Sequence, residues 1–130
     1  MIMSFKDMTV WKEAMNLVKM IYLETKIFPK EEMYGLTSQI RKSAVSIPAN
    51  IAEGNGRKSR KEYLQFLSIA SGSISELETH LLIAEQLNFL TKEVTEQLQK
   101  QLRSVARLLQ ALRNSLNPAP PIPRSLIPDP

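Results

Sequence analysis

Few groups in this sequence are suited to chemistry, and most of them are cations. His80 is the single histidine, and "ELETH" sets it four residues after Glu76. On a helix that spacing brings an imidazole beside a carboxylate, the pairing that carboxylate bundles use to hold a metal. Such a site needs a second E-x-x-H or a matching glutamate pair on another helix, and the sequence has neither. No metal ligands are therefore assigned, and His80 reads as a half-buried structural histidine rather than a general base. With no cysteine there is no thiol nucleophile, thiolate metal site or disulfide. "EGNG" at 53–56 has no strand before it and no G-K-S or G-K-T after it, so it is not a phosphate loop. No serine sits in a nucleophile elbow. The expectation is a protein that is not an enzyme and carries no cofactor.

The cations carry more information. From Leu36 to Lys61 the basic residues are Arg41, Lys42, Arg57, Lys58, Arg60 and Lys61, against one acid, Glu53. From Gln97 to Pro128 the charges are Lys100, Arg103, Arg107, Arg113 and Arg124, with no acid among them. A solvated protein face usually mixes both signs. A surface cleared of acids is one that attracts phosphate, so Arg41, Lys42, Arg57, Lys58, Arg60, Lys61, Lys100, Arg103 and Arg107 are candidate nucleic-acid contacts. Arg60 and Lys61 fall in a predicted first helical turn, where the macrodipole disfavours cations. Helix stability does not account for them, whereas an anion site does. The net charge of +4, from 17 Lys and Arg against 13 Asp and Glu, points the same way but weakly.

Four helical patterns position these residues. In the first, Trp11, Met15, Val18, Tyr22 and Thr25 share a face, flanked by Ala14 and Ile21, with Asp7 as N-cap and Pro29 as the stop. In the second, Leu36, Ile40, Ala44, Ile47 and Ile51 recur at spacings of four and three, and Gly54 and Gly56 close the helix. The third opens on Ser59 and Glu62, spaced as a capping box, and runs along Tyr63, Phe66, Leu67, Ala70, Ile74, Leu77, Leu81 and Ala84. The fourth, capped by Thr91, lines up Val94, Leu98, Leu102, Val105, Leu109, Leu112 and Leu116. Short connections between them predict an all-α fold, an antiparallel up-down-up-down four-helix bundle over 1–116. Six of the eight prolines lie from Pro118 onward. Residues 117–130 are therefore expected to form a Pro-rich extended tail.

Pro48 interrupts the second pattern. As the first residue of a new helix it would leave Ile47 as a poor cap. The apolar line crosses it from Ala44 through Ile47 to Ile51, so one continuous helix bent at Pro48 is expected. The third helix has more apolar surface than one core needs. Ile69, Ile83 and Leu87, with small Ser73 between, form a second line about 120° from the first. Such a stripe suits another protein surface, most simply a second copy of the chain, although a wide core face would also produce it. No run approaches the length of apolar residues that a membrane span needs, and the N-terminus lacks the form of a signal peptide, so a cytoplasmic protein is expected.

Three segments resemble a known family: "FKDMTVWKEA" at 5–14, "IFPKEEMYGLTSQIRKSAVSIPANIAEG" at 27–54 and "EYLQFLSIASGSISELET" at 62–79. They are similar to the four-helix-bundle proteins named for 23S ribosomal RNA intervening sequences, the S23 family. The resemblance runs from Phe5 to about Phe89, and "YGL…Q…SIPANIAEG" is its most distinctive part. It implies a bacterial, non-enzymatic bundle that assembles as a homopentamer. The accessory protein of diversity-generating retroelements is similar, which implies binding of nucleic acid and of a protein partner. Two functional readings stand side by side: an oligomer that binds RNA or other nucleic acid through basic patches, and an oligomeric scaffold or adaptor for a protein partner.

Overall fold

The computed structural model describes residues 4–116 and 125. The tail expected over 117–130 otherwise lies outside the described residues. A 3-10 turn at Phe5–Asp7 leads into α1 (Thr9–Thr25). A second one at Lys30–Glu32 precedes α2 (Leu36–Asn55), and α3 (Arg60–Gln86) and α4 (Lys92–Leu116) follow. No strand occurs among the described residues.

The helices are antiparallel neighbours in a ring. Ser46 of α2 meets Ser73 of α3, and Asn55 meets Tyr63; Gln99 of α4 reaches Glu78 of α3, and Arg113 reaches Ser68. Along both pairs the residue numbers rise on one helix as they fall on the other. α1 packs on α2 and α4, and α3 packs on the same two, so α1 and α3 lie diagonally opposite, as do α2 and α4. The core forms where the four inner lines meet, around Leu17, Ile21, Ile40, Ile47, Ile51, Leu67, Leu77, Leu81, Leu98, Leu102 and Leu109. Burying each such side chain contributes on the order of 1.5–3 kcal/mol.

The lines expected on α2, α3 and α4 reach this core, with Leu36, Tyr63, Val94, Leu112 and Leu116 half-buried at their ends. The line expected on α1 is displaced. Its buried residues are Val10, Ala14, Leu17, Ile21 and Thr25, while Met15 and Tyr22 are exposed and Trp11 and Val18 half-buried. Two apolar lines run along this helix, and the bundle axis took the aliphatic one, which interdigitates with the Ile and Leu of the other helices. Trp11 packs edge-on against Phe5 instead, at 5.3 Å between ring centroids.

The helix ends follow capping chemistry in part. Ser59 and Thr91 accept hydrogen bonds from the Glu62 and Val94 amides at 3.1 and 3.2 Å. Asp7 does not cap α1: it lies in the 3-10 turn, and Met8 occupies the N-cap with no side-chain bond. α3 ends in a Schellman motif without glycine. Asn88 adopts φ 63°, and the Phe89 amide returns to the Ala84 carbonyl at 2.9 Å. Phe89 then packs tilted against Phe28, with 5.6 Å between ring centroids, tying the two loops at that end together.

Pro48 is buried inside a continuous α2. Beside it Asn50 donates to the Ser46 carbonyl at 2.8 Å and to its hydroxyl at 2.9 Å, and that hydroxyl meets Ser73 at 2.8 Å. Gly56 is the C-cap of α2, as expected, and Gly54 is its penultimate residue, with a packing role besides. A Cβ there would stand 2.9 Å from Phe66 Cβ and 3.0 Å from Tyr63 Cδ1, so glycine lets α2 and α3 approach.

Candidate nucleic-acid interface

The nine candidate cations fall in three separate places. The first is the α2–α3 turn. Gly56 closes α2 and Ser59 caps α3; Arg57 and Lys58 lie between them and Arg60 and Lys61 in the first turn of α3, all four exposed. Arg57 is engaged at home: it pairs with Glu53 one turn back, and its guanidinium lies 4.6 Å from the Phe66 ring centroid. Lys58, Arg60 and Lys61 have no carboxylate within ion-pair distance among the described residues.

The second place is α4. Lys100, Arg103 and Arg107 recur at spacings of three and four, so they stand on one exposed face away from the leucine line. With Met20, Gln97, Gln101 and Ser104 they line a groove of about 570 Å³ that has no carboxylate in its lining. One lining residue, Gln101, donates its side-chain amide to the Glu13 carbonyl at 3.0 Å and to its carboxylate at 2.8 Å. The Glu13 carboxylate makes no ion pair with Lys100, Arg103 or Arg107.

The third place lies between α1 and α2. The Arg41 Nε–H donates to Thr25 Oγ1 at 2.9 Å, and its guanidinium sits 4.6 Å from the Tyr22 ring centroid. Thr25 itself donates to the Ile21 carbonyl at 2.7 Å, so the whole arrangement is braced on α1. Lys42 is exposed beside it. These two residues and the α4 trio occupy diagonally opposite helices, so the nine do not form one patch on a single chain.

The apolar stripe expected on α3 is present for Ile69, Ile83 and Leu87, which are 51%, 40% and 52% exposed. Ser73 does not share it: it is turned toward α2 by its bond to Ser46. The Nδ1 atom of His80 is buried without a partner, and no three His, Cys, Asp or Glu side chains converge to hold a metal among the described residues. No helix of the described residues is long and apolar enough to cross a membrane.

A second set of exposed side chains lies outside the residues that sequence pattern marks as surface sites. Tyr22, Met33, Tyr34 and Val45 are exposed along the outer side of α1 and α2. The helical spacing of Tyr22 fits a core line, yet its ring lies on the surface under Arg41. Tyr34 carried one signal: it stands between Pro29 and the start of α2, outside any helix.

The fold and these outer faces define a small four-helix-bundle protein that presents its charge and its spare apolar surface on the outside of the bundle. The chain belongs to the family described as the 23S rRNA-intervening sequence proteins, whose profile matches residues 6–111. Among solved structures it is similar to a protein of unknown function from the S23 ribosomal protein family of Bacteroides thetaiotaomicron. The TM-score is 0.73 at 24% identity, covering 81% of this chain and 98% of that one. That likeness establishes the shared fold. No curated protein matches the chain.

Proposed function

We propose that this is a non-enzymatic, oligomeric bundle that binds RNA or another nucleic acid through backbone contacts on its basic faces. The observation that carries the reading is the α4 groove, where Lys100, Arg103 and Arg107 stand together with no carboxylate in the lining. Three unpaired cations at helical spacing repel one another, and an anionic polymer relieves that repulsion. The family's name, which ties it to 23S rRNA-intervening sequences, supports nucleic acid as the polymer. Lys58, Arg60 and Lys61 extend the reading to the α2–α3 turn. In an oligomer, pentameric by resemblance, each patch is repeated by symmetry, and weak contacts add through multivalency. A cytoplasmic setting fits this partner.

The test is binding of a labelled RNA duplex at about 50 and 200 mM salt, with wild type and with a Lys100→Gln, Arg103→Gln, Arg107→Gln variant. Wild-type affinity is expected to fall steeply with salt, and the variant to bind more weakly with a shallower slope. Equal binding by both proteins removes the α4 groove from the interface. A second reading, an oligomeric scaffold for a protein partner, is favoured by the exposed stripe of Ile69, Ile83 and Leu87. Absence of salt-dependent RNA binding together with an oligomeric wild type would select it.

A further inference from the structure

Two grooves flank Tyr34, and together they have a character that the basic faces lack. On the α1 side, Tyr22, Met33, Tyr34, Thr37, Arg41 and Lys42 line about 470 Å³ with two cations and no carboxylate. On the α3 side, Tyr34 and Lys42 are shared with a groove of about 480 Å³ whose other groups include Gln39, Ser46, Ser73 and Glu76. Tyr34 is 95% exposed, so its ring has open faces, and it stands on the ridge between the two. Arg41 is already oriented by Thr25 and by the ring of Tyr22, so its guanidinium plane is presented without further ordering. Thr37, 5% exposed, lines the same groove, and its hydroxyl has no partner within the chain.

We propose that the surface around Tyr34 is a single-strand nucleic-acid site, with an unpaired base stacked on Tyr34 and the flanking phosphates on Arg41 and Lys42. This rests on the nucleic-acid reading above and adds to it a class of substrate and a mode of recognition. Duplexes keep their bases inside, so an exposed ring does nothing for them. A strand with splayed bases uses both components: every base has a π-face for an aromatic platform, and every linkage has a phosphate for a cation. The exposed Ser38 hydroxyl and Gln39 amide of the α3-side groove add hydrogen-bonding groups for base edges. Glu76, the one carboxylate there, repels phosphate and keeps the backbone on the Arg41 and Lys42 side. An acidic segment built of Asp and Glu alone would satisfy the cations but has no flat ring to place on Tyr34.

The site is tested by anisotropy with three labelled probes of equal length: oligouridylate, an abasic sugar-phosphate chain and an RNA duplex. Wild type is expected to bind oligouridylate more tightly than the abasic chain. Tyr34→Ala should lose roughly tenfold on oligouridylate and nothing on the other two, and Tyr34→Phe should retain wild-type binding. Because Tyr34 is almost fully exposed, the variants should keep the helical circular dichroism of the parent. Unchanged oligouridylate binding by Tyr34→Ala overturns the proposal. So does competition by oligoglutamate as effective as that by oligouridylate, which would assign the surface to an acidic protein segment. If the α4 variant weakens all three probes while Tyr34→Ala weakens none, only the Tyr34 site is lost. If wild type binds none of the probes, the nucleic-acid reading fails and takes this site with it.

Discussion

Gly54 and Gly72 are both helical, yet they answer opposite conditions. A methyl at Gly54 would meet Phe66 Cβ and the Tyr63 ring at 3.0 Å or less, whereas at Gly72 it would meet nothing within 4 Å. Gly54→Ala is therefore expected to destabilise by about 1–3 kcal/mol through overpacking, less the helix-propensity gain. Gly72→Ala should stabilise by about 0.5–1 kcal/mol. Chemical denaturation of the two variants measures both. A glycine near a helix end reads as a stop, so the packing role of Gly54 could not be seen in the sequence: it depends on where α3 returns. Tyr63, its neighbour across the interface, donates to Asn55 Oδ1 at 3.2 Å, and burial raises its pKa above the ordinary 10.0. The unfolded chain thus releases this proton at lower pH than the folded one. The stability associated with the neutral phenol is intact below pH 10.0 and falls as pH rises toward the folded-state value. The stability difference between wild type and Tyr63→Phe should shift against wild type above that pH. Parallel pH dependences for the two proteins would contradict this.

Among the elements, a core face is legible from spacing where one apolar line outweighs the rest, as on α4 and on α3, whose outer stripe is short. α4 has one, and its expected and observed core faces coincide at Leu98, Leu102, Val105 and Leu109. α1 has two, and spacing alone cannot choose between them; the choice is made by the neighbours on either side. Caps were legible where a hydroxyl precedes the helix, at Ser59 and Thr91. The α3 terminus was not, because asparagine in the left-handed region replaces the glycine that marks such stops. The start of α3 sets local stability against binding. Arg60 and Lys61 oppose the macrodipole, so changing both to Glu should stabilise the bundle by about 0.3–1 kcal/mol per residue at low salt. The same change should weaken RNA binding, because it reverses two charges on an exposed turn. Thermal unfolding and RNA titration of one double variant read both effects. A variant that gains stability and keeps its affinity would show that these cations are solvated surface.

For the whole molecule, the cations and the apolar stripe pose a joint question. The cations lie at the α2–α3 turn and on diagonally opposite helices, so one chain cannot present all three places to a single short duplex. Sequence order hid this, because clusters in the sequence carry no information about which helices are diagonal. Self-association along α3 would solve the geometry by repeating each place around an axis, placing like patches side by side. Ile69 and Ile83 are about half exposed, so Ile69→Gln with Ile83→Gln removes apolar surface without opening the core and without adding charge. Light scattering should then give an oligomer for wild type and the mass of a single chain for the variant, with similar unfolding midpoints. RNA affinity should fall further in this variant than when either basic patch alone is neutralised, because every repeated contact loses its effective concentration at once. Two neutralised patches combined within the monomeric variant should be additive in free energy, since the α4 and α2–α3 sites share no partners. A wild type that scatters as a single chain, or a monomeric variant that binds RNA as tightly as its parent, would separate binding from assembly and leave the α3 stripe to a different protein.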